Sequence, residues 1–130
     1  MRDAVSLRES LLAHVKEVYG IAPDFPWADE NAVLRRADNG KWFGVLMRVS
    51  RARLGLCDDG MVDVLNIKCE PAAGAALRME DGILPAYHMN KVHWISVLLD
   101  GTVEAAEVRF LLAESYHSVA PHVRRLRGGK

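Results

Sequence analysis

The dipeptide Asn39-Gly40 stands between two apolar-rich stretches, residues 31–37 and 42–49. Both residues tolerate the positive φ of a type I′ turn, whose twist matches that of the strands it joins. A β-hairpin is therefore predicted, and with it an antiparallel sheet. In the second strand Phe43, Val45, Met47 and Val49 alternate, which predicts one shared buried face. A further strand pair is expected at 54–57 and 61–68, around the turn residues Asp58-Asp59-Gly60. His93 to Leu99 alternates again, with Ile95, Val97 and Leu99 on one side.

Helical signals flank these strands. Ser6-Leu7-Arg8-Glu9 has the form of a capping box, and Leu7, Leu11, Val15 and Val18 follow at helical spacing until Gly20, a left-handed cap. Pro23 and Pro26 then forbid helix, so 22–27 is expected to be an ordered loop whose aromatics plug the core. Pro71 suits the first turn of a short helix over 71–79. The stretch 83–92 has no clean period and contains Pro85, which predicts a loop. Thr102 offers a cap, and Val108, Leu111, Leu112, Ser115 and Val119 mark one face of a last helix that Pro121 stops. Helices alternating with hairpin-connected strands in 130 residues predict one α+β domain over 1–130, a two-layer sandwich with helices packed on one face of an antiparallel sheet.

Half of the residues are hydrophobic, enough to build a core without disulfides or a structural metal. No apolar run approaches the ~20 residues of a membrane-spanning helix, and the first residues lack the pattern of a signal peptide. A cytoplasmic address is expected, with Cys57 and Cys69 reduced and mostly buried. Net charge is zero, yet 35–53 holds Arg35, Arg36, Lys41, Arg48, Arg51 and Arg53 against Asp38 alone. The tail 122–130 adds Arg124, Arg125, Arg127 and Lys130 and is expected to fray.

Several segments together resemble the MmcQ/YjbR family: Asp24-Phe25-Pro26-Trp27, Gly40-Lys41-Trp42-Phe43, Ile67-Lys68-Cys69-Glu70-Pro71, Tyr87-His88-Met89-Asn90-Lys91-Val92-His93-Trp94 and Ser115-Tyr116. The resemblance covers roughly residues 5–120. It implies a CyaY-like α+β fold and a double-wing DNA-binding motif, hence double-stranded DNA as partner. Ala86 stands where the family commonly has glycine, which argues against a positive φ there.

Three functions are weighed on the residues. A DNA-binding, non-enzymatic module would contact phosphates through a basic hairpin, with Lys41, Arg48, Arg51, Arg53 and Lys91 as the contacts. The alternative structural role of these cations is a charged sheet edge that discourages pairing. A small-ligand protein or enzyme would use Tyr87, His88, Asn90 and His93 with Lys91, since imidazoles titrate near neutrality. The same loop would otherwise serve to carry the chain from helix to strand through Tyr87, Met89 and Trp94. A protein-interaction module would expose an apolar patch. No nucleophile, metal motif or phosphate-cradling glycine loop is recognised, so no catalytic residue, metal or cofactor is assigned. The first helix carries Arg8, Glu9, His14, Lys16 and Glu17 and lacks the acidic ridge of frataxin-type iron proteins.

Overall fold

The computed structural model describes residues 6–121; the basic tail 122–130 lies outside them. Ser6 accepts a 3.0 Å hydrogen bond from the Glu9 amide and starts helix α1, Leu7–Tyr19. Gly20, at φ 68°, closes that helix with its N–H on the Lys16 carbonyl. Leu11 and Val15 form the buried stripe, flanked by Leu12 and Tyr19. Leu7 and Val18 turn to solvent, so the buried face is rotated from the one the spacing predicts.

Strands β1 (Ala32–Arg35), β2 (Trp42–Ser50), β3 (Met61–Lys68), β4 (Ile83–Pro85) and β5 (Trp94–Leu98) make one antiparallel sheet in the order β1-β2-β3-β5-β4. Helices α1, α2 (Pro71–Leu77) and α3 (Ala105–Ser118) cover one face of it. Leu11, Val15, Val108, Leu111 and Leu112 meet Leu34, Leu46, Leu65, Ile67, Ile95 and Val97 there, all buried. This is the expected two-layer α+β sandwich. The stripes expected in β5 and α3, including Ser115 and Val119, are buried as the alternation and helical spacing require.

A bulge decides which way β2 points. Leu34 pairs with Gly44 but Arg35 pairs with Trp42, so Phe43 is an extra residue without a partner in β1. Phe43 therefore joins the helix-side core, while Val49 and Met47 pack on the opposite face. The single face expected for Phe43, Val45, Met47 and Val49 is broken at that point. Gly44 beside the bulge also has a steric reason: a Cβ there would lie 2.9 Å from Leu34 Cδ1 and 3.4 Å from Leu65 and Leu112. Gly44→Ala is expected to destabilise by about 1–3 kcal/mol in urea unfolding, the range of an overpacked core; an unchanged midpoint would refute the close approach.

Other expectations are corrected by hydrogen bonds that lie between segments. The β1–β2 connection is wider than a type I′ turn: Arg36 N–H donates to the Lys41 carbonyl and Gly40 N–H to the Arg36 carbonyl. Only Gly40, at φ 72°, is left-handed there, and Asn39 instead donates its side chain to the Val119 carbonyl at 2.8 Å. No strand forms at 54–57. Arg51–Leu54 is a 3-10 turn, ended by Gly55 at φ 80°, because Leu54 and Leu56 fold over the sheet's second face. Cys57 is accordingly exposed, while Cys69 is half-buried. Burial raises the Cys69 thiol pKa, which keeps it protonated. The expected loop 83–92 begins as edge strand β4, where Pro85 is tolerated. The cap of α3 is Glu104 and not Thr102, and α2 ends at Leu77. Phe25 and Trp27 do not plug the core; each is about half exposed, at 48% and 47%.

Among the described residues the second face of the sheet carries no α-helix and is partly covered by the 3-10 turn Arg51–Leu54 and by loops. Val49, Val62, Val64 and Leu98 form a smaller core there under Leu54, Leu56, Leu84 and Tyr87.

Candidate functional site

The Tyr87–Trp94 block lies against this helix-free face, and two buried polar side chains hold it down. Asn66 of β3 and Ser96 of β5 pair across the sheet and have no exposed surface. Ser96 Oγ donates to Asn66 Oδ1, and the Tyr87 N–H donates to Ser96 Oγ at 2.9 Å. Asn66 Nδ2 in turn donates to the Tyr87 carbonyl at 3.2 Å. Both backbone groups of Tyr87 are thus matched as a neighbouring strand would match them. Neither Asn66 nor Ser96 is singled out by sequence motifs. Their only signal is polar residues inside apolar strands.

Beyond Tyr87 the chain turns sharply. His88 has φ 59° and its ring meets the Tyr87 ring at 4.2 Å between centroids. Ala86, by contrast, is buried and has no positive φ. Asn90 Oδ1 accepts from the amides of Val92 and His93 at 2.8 and 3.1 Å, while its carbonyl accepts from the Trp94 amide. Asn90 therefore shapes the turn into β5. His88, Lys91 and His93 are exposed on its outer side.

The five candidate cations do not form one cluster. Lys41 sits at the β1–β2 tip, while Arg51 and Arg53 lie past the other end of β2, whose nine residues span roughly 30 Å. Lys68 pairs with Trp94 across the sheet, so Lys91 belongs to the Lys41 end. Arg48 contacts Asp63 at 3.5 Å, and Arg8 of α1 approaches the same carboxylate at 3.8 Å. Arg51 is held between Asp58, at 2.9 Å, and Asp100, at 3.3 Å. Hydrogen bonding from Arg51 keeps the Asp58 carboxyl below its usual range. Burial pushes Asp100 upward, but Thr102 and Arg51 together bring it below that range as well. Lys41, Arg53 and Lys91 have no carboxylate in ion-pairing distance among the described residues.

Ser115 and Tyr116 have a structural role. Ser115 Oγ donates to the Phe43 carbonyl at 2.7 Å and accepts from the Lys68 amide at 2.9 Å. It closes the gap in the β2–β3 ladder next to the bulge, where regular pairing ends at Gly44 and Ile67. Tyr116 packs against Phe43 and Tyr19, and the Arg36 guanidinium lies 3.9 Å over its ring centroid.

Comparison with known proteins adds to this geometry. The YjbR family model matches residues 16–118. The chain belongs to the YjbR family. The uncharacterised protein YyaQ of Bacillus subtilis is 45% identical over 112 residues, covering 85% of this chain and 95% of YyaQ. The uncharacterised YjbR of Escherichia coli K12 is 32% identical over 53 residues, covering 40% of this chain and 45% of that protein. A crystal structure of a Pseudomonas syringae protein superposes with TM-score 0.83 at 39% identity, covering 85% of this chain and 97% of the other. Protein DR2400 of Deinococcus radiodurans gives TM-score 0.65 at 28% identity, covering 88% and 78%.

Within this YjbR-family domain a hollow lies on the helix side, and none of the Tyr87–Trp94 residues lines it. It measures about 650 Å³ between α2 and α3, with Ile67, Leu77, Phe110 and Leu111 on its walls and Glu70 and Glu114 also lining it. Among the described residues no group of three or more His, Cys, Asp or Glu side chains is placed to hold a metal ion. No described helix is long and apolar enough to cross a membrane.

Proposed function

We propose that this YjbR-family domain binds double-stranded DNA without catalysis, laying its helix-free sheet face along the phosphates. One observation carries this reading: of the candidate cations without an acidic partner among the described residues, Arg53 and Lys91 ride on segments packed against that face, and Lys41 stands at the end of the sheet. Arg53 lies on the turn whose Leu54 packs over the sheet, Lys91 on the loop anchored by Tyr87, and Lys41 at the tip of the β1–β2 hairpin. Arg48 and Arg51 are neutralised by Asp63, Asp58 and Asp100, and their role is to hold the C-terminal end of β2 in place. Lys41 and Arg53, at opposite ends of β2 and so separated by roughly the 30 Å of that strand, suit successive phosphate tracks of a duplex, since one helical turn of DNA spans about the same length.

Phosphate contacts release counterions, so affinity falls with salt by a slope of about 0.9 for each contact. Fluorescence anisotropy on a labelled duplex is expected to show a salt slope smaller by roughly 2.7 for Lys41→Ala/Arg53→Ala/Lys91→Ala than for the native chain. Arg48→Ala is expected to leave the slope unchanged. No binding at physiological salt, or an equal slope in the triple variant, would overturn the proposal.

A further inference from the structure

Two large aromatic side chains stand out of the surface from the loop before β1, and one of them, Trp27, meets the residue that follows Lys41. Trp27 and Phe25 are 47% and 48% exposed, although the loop that carries them is firmly held. Asp24 exchanges both backbone hydrogen bonds with Val33 of β1, at 2.9 and 2.8 Å. The Ala28 amide then closes a turn on the Phe25 carbonyl, and Ala28 takes φ 58°, a conformation that disfavours a residue with a Cβ. Trp27 meets Trp42 edge to face, with centroids 6.0 Å apart and planes at 89°. Such contact uses one ring edge and one ring face, which leaves further π surface open. Trp42 directly follows Lys41 and pairs with Arg35 across the hairpin.

Two of the three acids in that loop are engaged elsewhere. Asp24 is paired with Arg35, and the Asp29 carboxylate accepts from the backbone and side-chain amides of Asn31. Lys41 is thus the nearest cation in sequence to the ledge that is left without an acidic partner among the described residues. Half-exposed aromatics beside an unpaired cation are what single-stranded nucleic acid recognition requires, because every base offers a π face and every nucleotide a phosphate.

We infer that Phe25, Trp27 and Trp42 form a stacking ledge for unpaired bases, so that the domain prefers duplex DNA carrying a single-stranded stretch over a blunt duplex. The inference rests on the DNA-binding proposal and narrows its substrate to junctions of paired and unpaired strands. The phosphates of the paired part would meet Arg53 and Lys91, and the first unpaired bases the ledge beside Lys41.

The test is a competition of two DNAs, a blunt duplex and the same duplex extended by an unpaired thymidine stretch, against native chain, Phe25→Ala/Trp27→Ala and Trp27→Phe. The native chain is expected to favour the tailed duplex, and the double alanine variant to lose that preference by roughly 5- to 100-fold in tailed-duplex affinity. Its affinity for the blunt duplex should not change, and Trp27→Phe should keep most of the preference because a ring remains. Because both side chains are half exposed, these variants should fold, which thermal unfolding of each would verify. Equal binding of both DNAs by the native chain, or an undiminished preference in the double alanine variant, would overturn the ledge while leaving phosphate binding standing. Binding of neither DNA would overturn both. Sedimentation supplies a further check: if the native chain is an oligomer that the double alanine variant dissolves, the ledge is a subunit interface and the inference fails.

Discussion

Ser115→Ala should cost about 2–4 kcal/mol of stability, far more than a serine-to-alanine change in a helix ordinarily does. The hydroxyl acts as donor and acceptor at once, to the Phe43 carbonyl and from the Lys68 amide. Removing it leaves two backbone groups without partners at the edge of the core, and each such orphan costs about 1–3 kcal/mol when desolvated. The groove between α2 and α3 reaches Lys68, so water can compensate that amide better than it can the carbonyl. Alanine's higher helix propensity offsets only a few tenths of a kcal/mol. Ser118→Ala is the control: its hydroxyl donates at 2.7 Å to the Ser115 carbonyl within the same helix, and its removal should change stability by no more than about 0.5 kcal/mol. Urea unfolding of the two variants side by side decides the matter. Equal midpoints would mean that the ladder gap is closed by something other than Ser115.

Asn66→Leu should destabilise by a similar amount, about 2–4 kcal/mol, but with a local signature. Leucine nearly matches asparagine in shape and fits the apolar strand, yet it leaves the Tyr87 carbonyl without its donor and the Ser96 O–H without an acceptor under the loop. The 86–93 segment should then open by itself more often than the sheet unfolds. Hydrogen exchange is expected to show faster amides in that segment, while β2 and β3 lose protection only in step with global stability. A uniform loss across the sheet would contradict the latch. Asn66→Leu/Ser96→Ala should cost less than the sum of its single changes, because the second substitution removes a group that the first had orphaned. If the loop presents Lys91 to DNA as proposed, Asn66→Leu should also weaken binding without touching a charged residue.

These two sites show where local signals stop. Ser6, Gly20 and the Ile95-Val97-Leu99 alternation behave in the fold as they do in isolation, because a cap or a strand face depends on neighbours a few residues away. Asn66 and Ser96 are thirty residues apart, and Ser115 is seventy-two from Phe43, so no window of sequence contains both partners of either contact. The Asn39-Gly40 signal is correct about a hairpin and wrong about its turn. The Asn39 side chain is drawn to the Val119 carbonyl, and Arg36 and Lys41 close a wider loop. Residues 54–57 have strand-like composition, yet Leu54 and Leu56 are used to cover the second sheet face.

The candidate site divides in the same way. The cation types at 41, 48, 51, 53 and 91 are plain in the sequence, and so is their number. Which of them remain available depends on Asp58, Asp63 and Asp100, whose approach the fold alone determines. Phe25 and Trp27 have the hydrophobicity of core residues, and their exposure follows from the Asp24–Val33 bridge that holds the loop outside the sheet.

By itself the sequence determined the family, the α+β class, the start and stop of α1, the proline start of α2 and the strand faces away from the bulge, since each rests on periodicity or on the backbone preference of one or two residues. Only the tertiary structure decided the register slip at Phe43, the latch beneath Tyr87, the pairing of Arg48 and Arg51, and the outward Phe25 and Trp27. Those features depend on which distant groups meet with their hydrogen bonds or charges unsatisfied, and that is a property of the packed chain.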